Sequence, residues 1–121
     1  MEKQLVEPTT VLDVNFVKDV SKVIKCLGHP DRLRIVELLQ STPMKVKDIQ
    51  AMVGLTQAVT SQHLRQMYHL GILRSTREGQ NVIYSMGSPL VLRMLHCLEE
   101  TQNMLKEDLR WAITMKSTAV E

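Results

Sequence analysis

Several features that define other classes of protein are missing from this sequence. Only two of the 121 residues are cysteine, and Cys26 and Cys97 form no Cys-x-x-Cys pair, which argues against a zinc ribbon or a disulfide scaffold. No apolar run approaches the roughly 18 residues of a membrane span. Residues 1–12 lack the apolar core of a signal peptide. We therefore expect a soluble, cytoplasmic protein without a membrane partner, in which both thiols are normally reduced.

Catalytic signatures are also missing, and the excess of positive charge is small. The chain has no glycine-rich phosphate loop, no nucleophile elbow and no pair of carboxylates in a recognisable frame, so we expect no enzyme activity. The formal net charge is only +2, and affinity for phosphate must therefore depend on where the basic groups lie. With 44% hydrophobic residues, the chain is long enough for one domain with a core.

Apolar spacing predicts a mainly α (α+β) fold with the order α-α-α-α-β-β-α. Residues 1–12 are expected to form a mobile arm, residues 13–115 a single domain and residues 116–121 a tail. In the first helix, residues 13–27, apolar side chains recur at spacings of three and four, and Gly28 is expected to end it in a left-handed conformation. Pro30 suits the first turn of a second helix with a broad apolar face.

Residues 45–70 have the pattern of a helix-turn-helix. A third helix is predicted over 46–53, ending at Gly54, and Thr56 is placed to cap a fourth helix that runs to about Leu70. After Gly71 the pattern changes to two strand-like segments, 72–76 and 81–86, joined by a bend at Gly79. A helix-turn-helix followed by a hairpin indicates a winged helix, with the wing at 72–86.

A last helix is predicted over 89–115, with Ser88 as its cap and Pro89 in its first turn. Its heptad-like seam consists of Val91, Leu95, Leu98, Gln102, Leu105, Leu109 and Ala112. A small domain has little surface left to cover the second half of that seam. We therefore expect a homodimer that pairs through the last helix, with Trp111 on a face that the sequence does not determine.

The fourth helix is predicted to bury Thr60, Leu64 and Met67 and to present a polar face suited to base edges and phosphates of double-stranded DNA. No acidic residue occurs from Thr56 to Arg77. The predicted DNA-binding residues are Thr56, Gln57, Ser61, Gln62 and Arg65 around this helix and Arg74, Arg77, Gln80 and Asn81 in the wing, with Lys45 and Lys47 as further backbone contacts.

Residues 14–100 have a specific resemblance to the ArsR (ArsR/SmtB-type) family of winged-helix repressors. Three segments carry the resemblance: LGHPDRLRIVELL, VKDIQAMVGLTQAVTSQHLRQMYHLGIL and the wing REGQNVIYSM. The resemblance implies a dimer that pairs through the first and last helices, 13–27 and 89–115, and that binds a palindromic operator near its own promoter. It also implies release from DNA when a metal, a metalloid or an oxidant reaches a sensing site.

The expected sensing residues depart from two patterns of that family. Relatives of the thiolate type carry Cys-x-Cys where this chain has Lys45-Val46-Lys47. His96 and Glu99 match only half of the zinc pattern on the last helix, so they are weak candidates for metal ligands. Cys26 and Cys97 remain as a redox or soft-metal switch, or as plain apolar residues. No certain cofactor is predicted, and a thiol-bound metal or metalloid ion is the open alternative.

Two alternatives to a thiol-regulated repressor stay open at this point. One is a dimeric winged-helix adaptor that binds protein and not DNA, and the other is a metal-sensing repressor that uses a site around His96 and Glu99. His63 and His69 are expected to pack in part or to contact phosphate.

Overall fold

The computed structural model describes residues 10–108 and confirms the predicted winged helix-turn-helix fold. Its elements are α1 Val14–Leu27, α2 Pro30–Leu39, β1 Met44–Lys45, α3 Val46–Val53, α4 Gln57–His69, β2 Leu73–Glu78, β3 Asn81–Met86 and α5 Pro89–Glu107. The arm at 1–9, the tail at 116–121 and residues 109–115 of the predicted last helix, including Trp111, lie outside the described residues.

Side chains and glycines at the helix ends account for most of the boundaries. Thr56 and Ser88 accept hydrogen bonds from the third backbone N–H that follows each of them, as their predicted role as N-caps requires. Gly54 has a φ of 73°, the left-handed conformation that ends a helix most easily with glycine. The expectation for Gly28 was wrong, because its φ is −76°, which any residue adopts.

The antiparallel sheet has three strands in the order β1-β3-β2, one more than the sequence predicted. The additional strand, β1, has only two residues, and it pairs Met44 with Tyr84 and Lys45 with Ile83. Two residues are too few to show the alternation by which a strand is recognised. The wing is also tighter than expected, because β2 and β3 leave only Gly79 and Gln80 between them.

One hydrophobic core holds the helices and the sheet together. Its fully buried side chains come from α2, α3, α4, the segment between α4 and β2, and α5; the largest are Ile35, Leu39, Ile49, Leu64, Met67, Ile72, Val36 and Val91. Two of these residues, Leu64 and Met67, belong to α4, and buried Ile72 and Leu73 follow shortly after the helix, so its inner face is anchored against the sheet.

The outer faces of α1 and α5 leave large apolar side chains uncovered. Of the stripe predicted on α1, Leu27 is buried, whereas Val17 and Ile24 are 43% and 53% exposed. On α5, Leu98 and Met104 are 52% and 70% exposed. These surfaces are available to a partner. Within residues 10–108, no helix combines the length and apolar character that crossing a membrane requires.

Candidate nucleic-acid interface

Helix α4 has a buried face and an exposed polar face, and the buried face is the one predicted. Thr60, Leu64 and Met67 are fully buried. The hydroxyl of Thr60 donates to the carbonyl of Thr56 at 2.8 Å, so this polar group is satisfied inside the fold. Since the buried row is held by the core, the opposite side of α4 is fixed in direction as well.

The exposed face of α4 carries the side chains that were predicted to contact bases. Gln57, Gln62 and Arg65 are exposed and Ser61 is half-buried. The side chain of Thr56 accepts a hydrogen bond from the Val59 N–H at 3.2 Å, which places its hydroxyl at the N-terminus of the helix. These groups provide amide donors and acceptors, two hydroxyls and one guanidinium, and no carboxylate lies among them.

The wing follows α4 closely. The N–H of Ile72 donates to the carbonyl of Met67 at 2.9 Å, so the chain leaves α4 and enters β2 without a long loop. Arg74, Arg77, Gln80 and Asn81 are all exposed on the hairpin or at its tip. The wing is therefore a second basic and polar surface, carried by the same sheet that anchors α4.

Arg65 on α4 interacts electrostatically with a buried residue of the wing sheet. Burial raises the pKa of the Tyr84 hydroxyl on β3, and the guanidinium of Arg65 on α4 partly opposes that rise. Lys45 and Lys47 are exposed near the start of α3. Together the structure gives α4, the wing and the start of α3 exposed cations, which suits a polyanionic partner.

Sequence reasoning missed a polar cluster on the inner side of α4. His63 is only 7% exposed, and its Nδ1 accepts a hydrogen bond from the Nε–H of Arg32 on α2 at 3.0 Å. Its ring also packs edge-on against His29, with centroids 4.8 Å apart. The signal was present, because His63 shares the helical spacing of Thr60 and Leu64, and a polar side chain on a buried face needs a partner.

His29, Asp31 and His63 also lie close enough together to be considered as a metal site, since one ligand atom from each falls within 4.8 Å of the others. The hydrogen bonds oppose this reading. Nδ1 of His29 accepts from the Asp31 N–H at 3.1 Å, and Nδ1 of His63 accepts from Arg32. A cation would have to displace both donors and lie against a guanidinium, so this arrangement does not fit a metal ion.

The two predicted sensing thiols lie in different environments. Cys26 is buried at the end of α1, and Nη1 of Arg32 lies 3.1 Å from its carbonyl oxygen and 3.8 Å from its Sγ. Cys97 is exposed on α5, and both cysteines are free. Ready access from solvent is therefore confined to Cys97.

His96 and Glu99, the weak candidates for metal ligands, have different neighbours. Nε2 of His96 lies 3.4 Å from Glu100, one residue further along α5. Glu99 instead lines an open groove of about 420 Å³ between α2 and α5, together with Glu37, Leu98 and other side chains of the two helices.

A winged helix-turn-helix with an anchored α4, an exposed polar face free of carboxylates and a basic wing defines a protein of the nucleic-acid-binding class. Residues 29–75 match the family model described as "Bacterial regulatory protein, arsR family". The chain is 30% identical to the HTH-type transcriptional regulator NmtR of Mycobacterium tuberculosis over 88 residues, which is 73% of each protein.

Two further similarities agree with this. The chain is 32% identical over 87 residues to the transcriptional repressor PagR of Bacillus anthracis, which covers 71% of this chain and 87% of PagR. The homodimeric winged helix-turn-helix DNA-binding domain of Mb0332 from Mycobacterium bovis has a TM-score of 0.71 at 21% identity, covering 85% of this chain and 95% of that one. The last comparison supports the fold.

The chain belongs to the ArsR family. It is a DNA-binding transcriptional regulator and not an enzyme, as the sequence predicted.

Proposed function

We propose that the protein is a dimeric, sequence-specific repressor that inserts α4 into the major groove of a pseudo-palindromic operator and dissociates when an inducer acts on it. One observation carries this proposal. Helix α4 is fixed by a fully buried row, while Gln57, Gln62 and Arg65 are exposed on it, and no acidic residue occurs from Thr56 to Arg77. An α-helix with such a face is matched in size and chemistry to the major groove.

Each of these side chains has a partner in the groove. A glutamine amide pairs with adenine through one donor and one acceptor, and an arginine guanidinium pairs with the two acceptors of guanine. Ser61 can contact a base or a phosphate, and Val59, 39% exposed, can meet a thymine methyl group. Thr56 lies where a helix N-terminus attracts phosphate.

The wing supplies backbone and minor-groove contacts in this proposal. Arg74 and Arg77 can neutralise phosphates or enter a narrow A·T-rich minor groove, and the polar side chains of Gln80 and Asn81 extend the surface at the tip. Glu78 at the end of β2 reduces the positive potential there, so the wing is assigned to positioning and not to the main part of sequence recognition.

Dimerisation is supported by the uncovered apolar side chains of α1 and α5. Ile24 and Leu98 are both more than half exposed, although aliphatic side chains of this size are usually buried. The Mb0332 domain, similar in fold, is described as homodimeric. A two-fold symmetric dimer presents two copies of α4 to successive major grooves about 34 Å apart, which predicts an operator with two-fold symmetry.

The inducer is proposed to act at thiols. Cys97 is exposed on α5, and Cys26 lies at the end of α1 beside Arg32, so both belong to the helices proposed to form the dimer interface. An oxidant such as hydrogen peroxide would take two electrons and two protons from the thiols to form a disulfide, and would itself be reduced to water. A soft metal or metalloid ion bound to the thiolates is the second candidate inducer. Mass spectrometry of the oxidised thiols beside a metal titration distinguishes the two.

The test of DNA binding begins with a random duplex library, from which the purified protein selects its preferred sequence. Fluorescence anisotropy then compares this duplex with a scrambled one over a range of salt concentrations. We expect a selected duplex with two-fold symmetry and an affinity that falls steeply with salt.

Arg65→Ala and Gln62→Ala should each reduce discrimination between the selected and scrambled duplexes by about 1–3 kcal/mol. Equal losses on both duplexes would reassign the two side chains to the DNA backbone. Recovery of no preferred duplex, with no salt-dependent binding, would refute recognition of an operator through α4.

A further inference from the structure

The Arg32 side chain forms hydrogen bonds with two other helices, one of which lies 31 positions later in the sequence. Its Nε–H donates to Nδ1 of His63 on α4 at 3.0 Å, and Nη1 donates to the carbonyl oxygen of Cys26, the penultimate residue of α1, at 3.1 Å. Arg32 itself belongs to α2. One guanidinium therefore connects α1, α2 and α4.

The chemistry of this connection requires a neutral His63. Because Nδ1 accepts a hydrogen bond, it carries a lone pair, and the ring proton is on Nε2. A guanidinium and an imidazolium have hydrogen-bond donors and no acceptor. Protonation of His63 therefore removes the acceptor for Arg32 and places two cations in contact. Nearly all of the side chain of His63 is buried, which leaves water little room to replace the lost bond.

The cluster lies directly behind the polar face of α4. His63 follows Gln62 and precedes Arg65 by two residues, so a small rotation of α4 about its axis moves the whole polar face. The packing of Leu64 and Met67 decides which side of α4 faces the core, but apolar contacts have no strict directional requirement that would set the rotation of the helix more finely. The hydrogen bond from Arg32 has such a requirement.

We propose that Arg32 is a positioning residue for DNA recognition, which acts through a neutral His63 to hold α4 at the rotation that directs its polar face into the groove. The inference rests on the proposed function of α4. The inference goes beyond the proposed function on one point: the specificity of binding, as distinct from the attraction to phosphate, depends on a hydrogen bond on the opposite side of α4.

The charged surroundings of His63 favour the neutral ring. Burial lowers the pKa of His63 below its usual 6.5, and Arg32 and His29 lower it further, while Asp31 alone raises it. The bond is therefore intact above pH 6.5 and is lost as the pH falls through the lowered pKa of the ring. Binding specificity should decline in the same direction.

The first test is Arg32→Lys, measured by anisotropy on the selected duplex and on a scrambled duplex of equal length. Lysine keeps the charge but cannot reach two acceptors with a rigid fork. We expect affinity for the selected duplex to fall about tenfold, the effect of one charge-assisted hydrogen bond, and affinity for the scrambled duplex to change less than about twofold. The matched control is Arg34→Lys on the same helix, which alters an exposed ion pair with Glu37 and should change neither value.

The second test is the pH profile of the ratio between the two affinities. Acidification adds positive charge and strengthens binding to any duplex, so the ratio, and not the affinity, isolates specificity. We expect the wild-type ratio to fall as the pH drops below 6.5. His63→Asn offers Arg32 a side-chain oxygen that cannot be protonated, and its ratio should be independent of pH. His29→Asn keeps a good helix cap and removes one group that lowers the pKa of His63, so its ratio should still fall on acidification, with the fall beginning at a higher pH than in wild type.

A third measurement needs no DNA and separates this inference from the proposed function. Nitrogen NMR of the wild-type imidazoles should show the His63 proton on Nε2 and a pKa below 6.5. Hydrogen exchange of the amides of residues 57–69 should accelerate in Arg32→Lys and not in Arg34→Lys.

Failure to find any preferred duplex would reject the proposed function and leave the NMR and exchange results to decide whether Arg32 holds α4. The inference is overturned if His63 titrates at or above 6.5, if Arg32→Lys weakens both duplexes equally, or if the pH dependence disappears in His29→Asn and persists in His63→Asn.

Discussion

The contribution of the wing to DNA binding can be measured through Arg77. This side chain is exposed on β2, and within residues 10–108 no ion pair holds it. Removing it by Arg77→Ala should therefore leave the fold unchanged and delete one phosphate contact in each subunit of the proposed dimer. Each phosphate that a protein neutralises adds about 0.9 to the slope of log affinity against log salt. Two symmetry-related wings thus contribute about 1.8 to that slope.

The expected difference between the two salt slopes is large enough to measure. Over a fourfold rise in salt, from about 50 to 200 mM, a slope of about 1.8 corresponds to an about twelvefold loss of affinity. Wild-type protein should lose that much more affinity than Arg77→Ala across the same range. Anisotropy titrations on the selected duplex at several salt concentrations measure both slopes, and circular dichroism checks that the variant is folded.

The control is Arg34→Ala on α2, because Arg34 is also exposed but lines the groove between α2 and α5. Its slope should equal that of wild type. An unchanged slope in Arg77→Ala would show that the wing does not contact phosphate. A decrease of about 0.9 would show that only one wing per complex does so, and a symmetric dimer on DNA would then be refuted.

Three other predictions concern stability, assembly and sensing. Thr56→Ala removes the hydrogen bond from the Val59 N–H and should lower the free energy of unfolding by about 1 kcal/mol, whereas Thr56→Ser should keep most of that stability. Urea denaturation measures both variants, and equal stability of the two would contradict the role of Thr56 as a cap. Ile24→Asp or Leu98→Asp places a charge on a surface proposed to be buried between subunits, and light scattering should show a monomer in place of a dimer. Cys26→Ser combined with Cys97→Ser should abolish release from DNA by peroxide without changing the affinity of the reduced protein. A persisting response to oxidant would remove the thiols from the sensing mechanism.

The elements with strong local signals were predictable from sequence. The bounds of α3 match because Gly54 closes it in a left-handed conformation. The start of α4 matches because Thr56 caps it, and the buried row of Thr60, Leu64 and Met67 follows from helical spacing. Each of these features depends on residues within a few positions of one another.

Contacts between distant residues were not predictable in the same way. Strand β1 exists because Met44 and Lys45 pair with β3, about 40 positions later in the chain. The hydrogen bond from Arg32 to His63 spans 31 positions, and the burial of Cys26 beside the same guanidinium became visible only in the folded chain.

The sequence by itself therefore determined the succession of helices and strands, the cap of the recognition helix and the polar side chains on it, because helical periodicity and capping act over one or two turns. Only the tertiary structure decided that Ser61 is half-buried, which thiol is accessible and what holds α4 from behind. These properties depend on packing and on the directions of hydrogen bonds between segments that meet only after folding.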